Sequence, residues 1–424
     1  MHIEDIYKIY QQFPCIETDS RKLKKGDIFF ALKGPNFNGN KFAQQALESG
    51  APYVVADEPL PFEDERIIQV KDVLETLQEL AKYHREQFTI PFIAITGSNG
   101  KTTTKELLHE VLSTTFKTYT TKGNLNNHIG IPLTILKIKT DAEIAVIEMG
   151  ANHQHEIEGY CKYAQPTHGL ITNIGKAHLE GFGGEEGVKK GKGELFQYLK
   201  NHNGTVFVNM DDQAVFDLSK SINKAIFYGS KSDNIKGTIV KNDPFLQVQI
   251  EDGKAFTIQT NLVGSYNLPN VLAAVCVGKY FKIEIEKIKS AIENYQPSNS
   301  RSQLIKKDTN TIILDAYNAN PGSMKAAIEN FAKMKGDKKI LLLGSMMELG
   351  TESEKEHADI ISLINQNKWR AVVLVGKNFS EIKNTYINLE NSLQARDWLK
   401  NEHAENAQIL IKGSRSMQME KVLE

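Results

Sequence analysis

A chain of 424 residues is too long for one ordinary hydrophobic core, so two or three domains are expected. Its 51 Lys and Arg nearly cancel its 52 Asp and Glu, and no long basic run is present, which argues against nucleic acid or an anionic membrane as partner. The opening MHIEDIYKIYQQF lacks the basic and apolar stretches of a signal peptide, no apolar segment reaches membrane-spanning length, and Cys15, Cys161 and Cys276 read as reduced core thiols in a cytoplasmic protein.

Residues 1 to about 87 have the pattern of a small α/β unit. Strands are expected at Asp27 to Leu32 and Tyr53 to Ala56, a helix at Lys41 to Ser49, and a second helix from Lys71 to about Phe88. Two polar loops, Thr18 to Arg21 and Lys33 to Asn40, read as solvated turns. From 88 to about 297 strands and helices alternate, with apolar runs at Ile144 to Ile147, Leu170 to Thr172, Val206 to Val208 and Ala225 to Tyr228 suiting a mostly parallel sheet. Between Lys236 and Val263 the alternation of a β-rich insertion appears, turning at Glu251-Asp252-Gly253. The stretch 298–424 is a third α/β unit with strands near 311, 340, 371 and 408, a doubly wound pattern.

The densest chemistry lies in Phe92 to Lys105, FIAITGSNGKTTTK. An apolar strand runs into a glycine turn and then into Lys-Thr at a helix start. Gly97 and Gly100 let the backbone N–H groups of Gly97, Ser98, Asn99 and Gly100 turn toward phosphate oxygens. Lys101 adds a cation, and Thr102, followed by Thr103, puts a hydroxyl where a nucleotide-bridging Mg²⁺ would sit, beside a helix dipole that favours anions. Ile95 stands where the common GxxxxGK[ST] pattern has its first glycine, so the match is to a shorter GxxGKT form.

Other residues carry weaker signals. Glu148 ends an apolar strand at the edge where open α/β sheets bind ligands, and could hold Mg²⁺. His178, in TNIGKAHLEGFG, reads equally as a loop histidine. Lys192 belongs to a run of lysines among glycines, which from spacing alone reads as a solvated helix face. His153 and His155 form an HxH pair with no further convergent ligand in view.

Taken together, TGSNGKTT, GNLNNHIGIP, EMGANH, TNIGKAHLEGFG, KGEL, DAYNANPGSM and MELG resemble the Mur ligases, in sequence and in order, and DSR, ALKG and KGSR extend the likeness over nearly the whole chain. YNANP, EMGANH and MELG are similar to the branch that joins D-alanyl-D-alanine to UDP-N-acetylmuramoyl-tripeptide. The resemblance implies an α/β protein of three domains: a UDP-substrate domain at 1–87, a central ATPase at 88–297 and a Rossmann-like domain at 298–424.

It also implies roles. Ser20, Arg21 and Lys33 would meet the nucleotide-sugar; Asn126, Asn127, Asn318 and Asn320 would face the peptide substrates. Gly97 to Thr103, Asn270, Arg301 and Asp315 would bind ATP. Thr102, Glu148, His178 and Lys192 would serve two Mg²⁺ sites, with Lys192 carried as a carbamate, and Lys101, Glu148, His178 and Lys192 would be catalytic. The partners implied are small molecules only, with no nucleic acid or membrane insertion, and a monomer. Tyr266, Asn38, Asn40 and His155 depart from the family's usual residues at the adenine side, the uridine side and the EMGANH loop. The competing readings are a folylpolyglutamate or cyanophycin-type ligase and a nucleotide-dependent switch without ligase chemistry.

Overall fold

The structure is a computed structural model and describes residues 1–253, 255–298 and 300–424. Its contacts group into two compact units: Met1–Ala94 with Phe116–Gly150 and Glu156–His168, and Ile95–Thr115 with Ala151–His155 and Gly169–Glu424. Among the described residues no helix is long and apolar enough to cross a membrane.

The first unit opens on a helix, Ile3–Gln12, that buries Ile6, Tyr7 and Tyr10. Four short strands then form a parallel sheet in the order Ile16–Glu17, Ile28–Phe30, Val54–Ala56, Ile67–Gln69. The two central strands are buried at every position, as continuous apolar runs covered on both faces must be. The helix Val73–Arg85 starts where Asp72 accepts a hydrogen bond from Glu75 N at 2.8 Å. At its other end the Arg85 guanidinium lies 3.8 Å from the centre of the Phe92 ring and donates to the carbonyls of Ala164 and Gln165. Three more strands, Phe92–Thr96, Ile144–Glu148 and Thr118–Thr120, are neighbours in that order, the last two parallel. Cys161 is buried as expected, but Cys15 is exposed, just before the edge strand Ile16–Glu17.

In the second unit the strands Phe256–Gln259, Leu246–Glu251, Ile235–Asn242, Ala225–Gly229, Thr205–Asn209 and His168–Ile171 are neighbours in that order. The expected β-rich insertion is an antiparallel ribbon of the first three, joined in parallel to Ala225–Gly229. Helix Leu268–Tyr280 buries Val271 to Gly278 without interruption, so it is a core helix and not an amphipathic one. The last part is a six-stranded sheet in the order Gln303–Lys307, Asn310–Asp315, Gln408–Lys412, Lys339–Gly344, Ala371–Val375, Ile387–Leu389. Only its first pair is antiparallel. Ile312, Ile340, Leu342, Val373 and Ile411 form the centre of its core.

Candidate active site

The phosphate loop is built by local conformation and held by a second loop. Gly97 adopts φ +141°, and a Cβ there would fall 2.0 Å from Thr172 Oγ1; Gly100 adopts φ +79°, and a Cβ there would fall 2.6 Å from Asn270 Oδ1. Neither position admits a side chain, which is the reason the pattern needs glycines. The segment Thr172 to Gly175 clamps the turn. Ser98 N donates to Asn173 O at 3.0 Å, Asn99 N to Asn173 Oδ1 at 3.0 Å, and Asn173 Nδ2 to Asn99 O at 2.9 Å. Ser98 Oγ donates to Gly175 O at 2.9 Å. Helix Lys101–Ser113 begins immediately after, with Thr102 buried in its first turn and Lys101 Nζ donating to Gly97 O at 2.7 Å. Thr103 lies in that same turn.

Asn270 lies under this turn. Its Oδ1 accepts from Thr104 Oγ1 at 3.1 Å, and its Nδ2 donates to Asn267 Oδ1 at 2.8 Å. Tyr266, one of the departures from the family pattern, is partly buried with its hydroxyl 2.9 Å from Ser302 Oγ. A cleft of about 570 Å³ opens beside it, lined by Met210, Asp211, Lys231, Pro269, Asn330 and Lys333 among others.

Downstream of the C-terminal strand Asn310–Asp315, one side chain reaches the phosphate loop. Asn320 Nδ2 donates to Asn99 Oδ1 at 2.8 Å, and the same side chain caps helix Pro321–Lys333. Asp315 accepts from Ser302 N at 3.0 Å and from Lys412 Nζ at 2.6 Å. Lys412 is buried and also donates to Asn318 O, and Asn318 Oδ1 accepts from Arg415 N. Arg301 stacks its guanidinium 3.6 Å from the centre of the Tyr317 ring. The serines on either side of it, Ser300 and Ser302, adopt φ +55° and +49°.

His178 adopts φ +52° and its Nδ1 meets a carboxylate oxygen of Glu348. That contact holds the Glu348 carboxyl below its ordinary range. Lys192 corrects the sequence reading. It is not on a solvated face: it is 1% exposed, its Nζ donates to Ala151 O at 3.0 Å, and it lies 4.9 Å from the centre of the Phe182 ring. Helix Glu185–Asn201 admits this packing because Gly187 and Gly191 leave room for Phe182.

In the first unit Glu148 is buried at its strand end, where Oε1 accepts from Asn126 Nδ2 at 2.8 Å and its N donates to Thr121 Oγ1 at 3.0 Å. Asn127 uses Oδ1 to accept from Ile129 N and Gly130 N, starting the helix Gly130–Ile135. Arg21 is exposed and paired with Asp19; Ser20 precedes it in the same turn. Lys33 Nζ lies 3.2 Å from Asp57 and 3.5 Å from Glu58. Among the described residues no group of three or more His, Cys, Asp or Glu converges as a metal site.

Three family models match the chain: the Mur ligase catalytic domain over residues 12–85, the Mur ligase middle domain over 95–278, and the Mur ligase glutamate ligase domain over 300–415. The chain belongs to the Mur ligase family. Among its relatives, this Mur ligase is 36% identical to the UDP-N-acetylmuramoyl-tripeptide–D-alanyl-D-alanine ligase of Bacillus subtilis (strain 168), over 96% of this chain and 92% of the relative. It is similar in structure to MurF from Acinetobacter baumannii, with a TM-score of 0.88, 32% identity and coverage of 96% and 92%. The MurF ligase from Thermotoga maritima in complex with ADP matches with a TM-score of 0.87 and 27% identity, covering 96% of each chain.

Several residues of this Mur ligase site carried no assigned role in the sequence reading. Thr172 and Asn173 hold the phosphate loop from more than seventy positions away, and Lys412, Glu348 and Tyr317 hold Asp315, His178 and Arg301. The motifs TNIG, KGSR, MELG and YNANP contained them, but a motif shows that a residue matters without showing what it touches.

Proposed function

We propose that the chain is an ATP-dependent amide ligase that joins D-alanyl-D-alanine to UDP-N-acetylmuramoyl-tripeptide, forming the pentapeptide precursor of peptidoglycan and releasing ADP and phosphate, in the cytoplasm and as a monomer. One observation carries this reading: the likeness to a ligase of that name runs over 96% of the chain at 36% identity. The three domains are read as 1–87 for the UDP end, 88–297 for ATP and 298–424 for closure over the nucleotide.

A carboxylate is a poor acyl donor at neutral pH because oxide does not leave. In the reaction proposed, the peptide carboxylate attacks the γ-phosphorus of ATP and expels ADP. The amine of D-alanyl-D-alanine then attacks the acyl phosphate carbon, loses a proton, and inorganic phosphate leaves. The chain's contribution is positioning and charge neutralisation. The loop Gly97 to Gly100 cradles the phosphates, Lys101 exchanges its carbonyl contact for them, and Arg301, held over Tyr317, approaches from the C-terminal side. Asp315 takes the ribose and Asn270 the adenine side, near the cleft beside Tyr266. Ser20, Arg21 and Lys33 receive the nucleotide-sugar, and Asn126, Asn127, Asn318 and Asn320 line the peptide side. Excluding water protects the acyl phosphate.

The donor chemistry fits Mg²⁺, which takes hard oxygen ligands. Thr102 offers a hydroxyl and Glu148 a buried carboxylate, with His178 beside Glu348. Lys192 as an ammonium cannot ligate a cation; as a carbamate its oxygens would. Bound there, two Mg²⁺ ions would neutralise phosphate charge.

The test is ADP release by the purified chain with UDP-N-acetylmuramoyl-tripeptide plus D-alanyl-D-alanine, against folate plus glutamate. Turnover only with the first pair is expected. ADP release that ignores the acceptor, or needs folate, sinks the reading.

A further inference from the structure

In the first unit, Lys33–Gly34 and Phe37–Asn38 form a two-stranded antiparallel ribbon. Its geometry is set by a carboxylate from another part of the sequence. Asp57 follows the central strand Val54–Ala56 at the carboxyl edge of the parallel sheet, and its side chain is 4% exposed. Lys33 Nζ lies 3.2 Å from Asp57 Oδ1, and Asn40 Nδ2 donates to that oxygen at 2.9 Å. Val73 N donates to Asp57 Oδ2 at 3.3 Å, tying in the start of helix Val73–Arg85.

Asn40 completes a two-way clamp. Its Oδ1 accepts from Asp57 N at 3.1 Å, so one buried amide pairs with both the backbone and the carboxylate of Asp57. Only a side chain with a donor and an acceptor on one planar group can do this. Asn38 extends the mesh, its Oδ1 accepting from Asn40 N and Nδ2 at 3.0 Å and its Nδ2 donating to Glu58 at 2.8 Å. Gly39 is required between them, since a Cβ there would fall 2.6 Å from the Ala31 carbonyl carbon. Burial alone would raise the Asp57 carboxyl, yet the Asn40 and Lys33 bonds outweigh it and hold the group below its ordinary value.

We propose that Asp57 is a positioning residue for the UDP end of the substrate: through the Asn40 clamp and Lys33 it fixes the ribbon so that the Lys33 ammonium is presented in one orientation. This rests on the role proposed above for Lys33. A free lysine side chain loses rotamer freedom when it is pinned by a ligand, and prior pinning removes part of that cost. Lys33 remains 44% exposed, so it is ordered and still reachable. The opposing effect is charge. Lys33, Asp57 and Glu58 together carry one net negative charge, which would repel a diphosphate, and the experiment must separate the two.

The experiment is steady-state kinetics of the full-length enzyme with UDP-N-acetylmuramoyl-tripeptide, ATP and D-alanyl-D-alanine each varied. Asp57→Asn is expected to raise KM for the UDP substrate about tenfold, the scale of losing a hydrogen bond to a charged group, with kcat and the other two KM values within about twofold. In a Lys33→Ala background the same substitution should cost less than about threefold, because the two act through one contact. Asn38→Ala, half-buried and milder, should raise the same KM about threefold and serves if Asp57→Asn does not fold. A KM that falls or stays unchanged overturns the inference, as does a uniform loss of kcat. A wild-type chain that releases no ADP with this substrate pair overturns the functional reading, and this inference with it.

Discussion

Asn320 Nδ2 donates to Asn99 Oδ1 at 2.8 Å while Asn320 Oδ1 accepts from Ser323 N at 2.9 Å, so one side chain both caps a helix and grips the phosphate loop. The two jobs can be separated. Asn320→Ser keeps a capping oxygen but cannot reach Asn99; Asn320→Ala loses both. The serine variant is expected to keep its melting temperature and to raise KM for ATP about three- to tenfold, the worth of one neutral hydrogen bond. The alanine variant should lose a further ~1 kcal/mol of stability. Equal ATP kinetics in Asn320→Ser and wild type would show that the contact does not serve nucleotide binding.

Lys176 Nζ lies 2.6 Å from Glu356 Oε1, and the Glu356 side chain is only 5% exposed. Lys176, in the TNIGKAH loop, is a third exposed and also approaches Glu185 at 3.7 Å. Removing the lysine leaves a buried carboxylate without its counter-ion, which is more costly than neutralising both partners. Lys176→Met is therefore expected to lower stability by about 1–3 kcal/mol, allowing for the exposure of the lysine. Lys176→Met with Glu356→Gln should recover part of it. Urea midpoints of the single and double variants test this, and simple additivity would refute it.

Lys192 is expected to be indispensable as a modified residue. Lys192→Ala should abolish ligation while leaving nucleotide binding, and a short carboxylate such as acetate should restore part of the turnover by occupying the space left. Activity equal to wild type would return Lys192 to a purely structural role against Ala151 and Phe182.

Two buried histidines set an acid limit. His84 lies between Tyr7 OH at 3.0 Å and Ile138 O at 2.8 Å, and His357 accepts from Met346 N at 3.0 Å while its Nδ1 faces Ser353 O at 2.7 Å. Burial lowers the pKa of both below 6.5. Above 6.5 both are neutral folded and unfolded, and their contribution is complete. As pH falls below 6.5 the unfolded chain takes up protons that the folded histidines refuse. Stability then declines by up to about 1.4 kcal/mol per pH unit for each, until the folded values are passed. Urea midpoints between pH 7.5 and 5.5 should show this slope, flattened in His84→Gln with His357→Gln.

How much of this was legible depends on how local the cause is. The strands Phe92–Thr96 and Ile144–Glu148 are buried at every position and stand out as apolar runs. Gln303–Lys307 does not, since it is an antiparallel edge strand ending in exposed Lys306 and Lys307. Ile387–Leu389 at the opposite edge is short and largely exposed. Within the site, the glycine turn announces itself because its chemistry lies within six residues. The Asn173 clamp does not, because it acts across the sheet. Lys192 misled because a run of lysines on a helix normally faces water, and only the packing of Phe182 shows that this one turns inward.

The glycines of helix Glu185–Asn201 bear on attempts to stabilise the protein. Replacing a helical glycine by alanine normally gains about 1 kcal/mol of helix propensity and is a first choice in engineering. Here a Cβ on Gly187 would fall 1.8 Å from Phe182 O, and one on Gly191 2.4 Å from the Phe182 ring. The helix thus keeps a weak intrinsic preference as the condition for close approach, and a library guided by propensity would damage the wall that encloses Lys192.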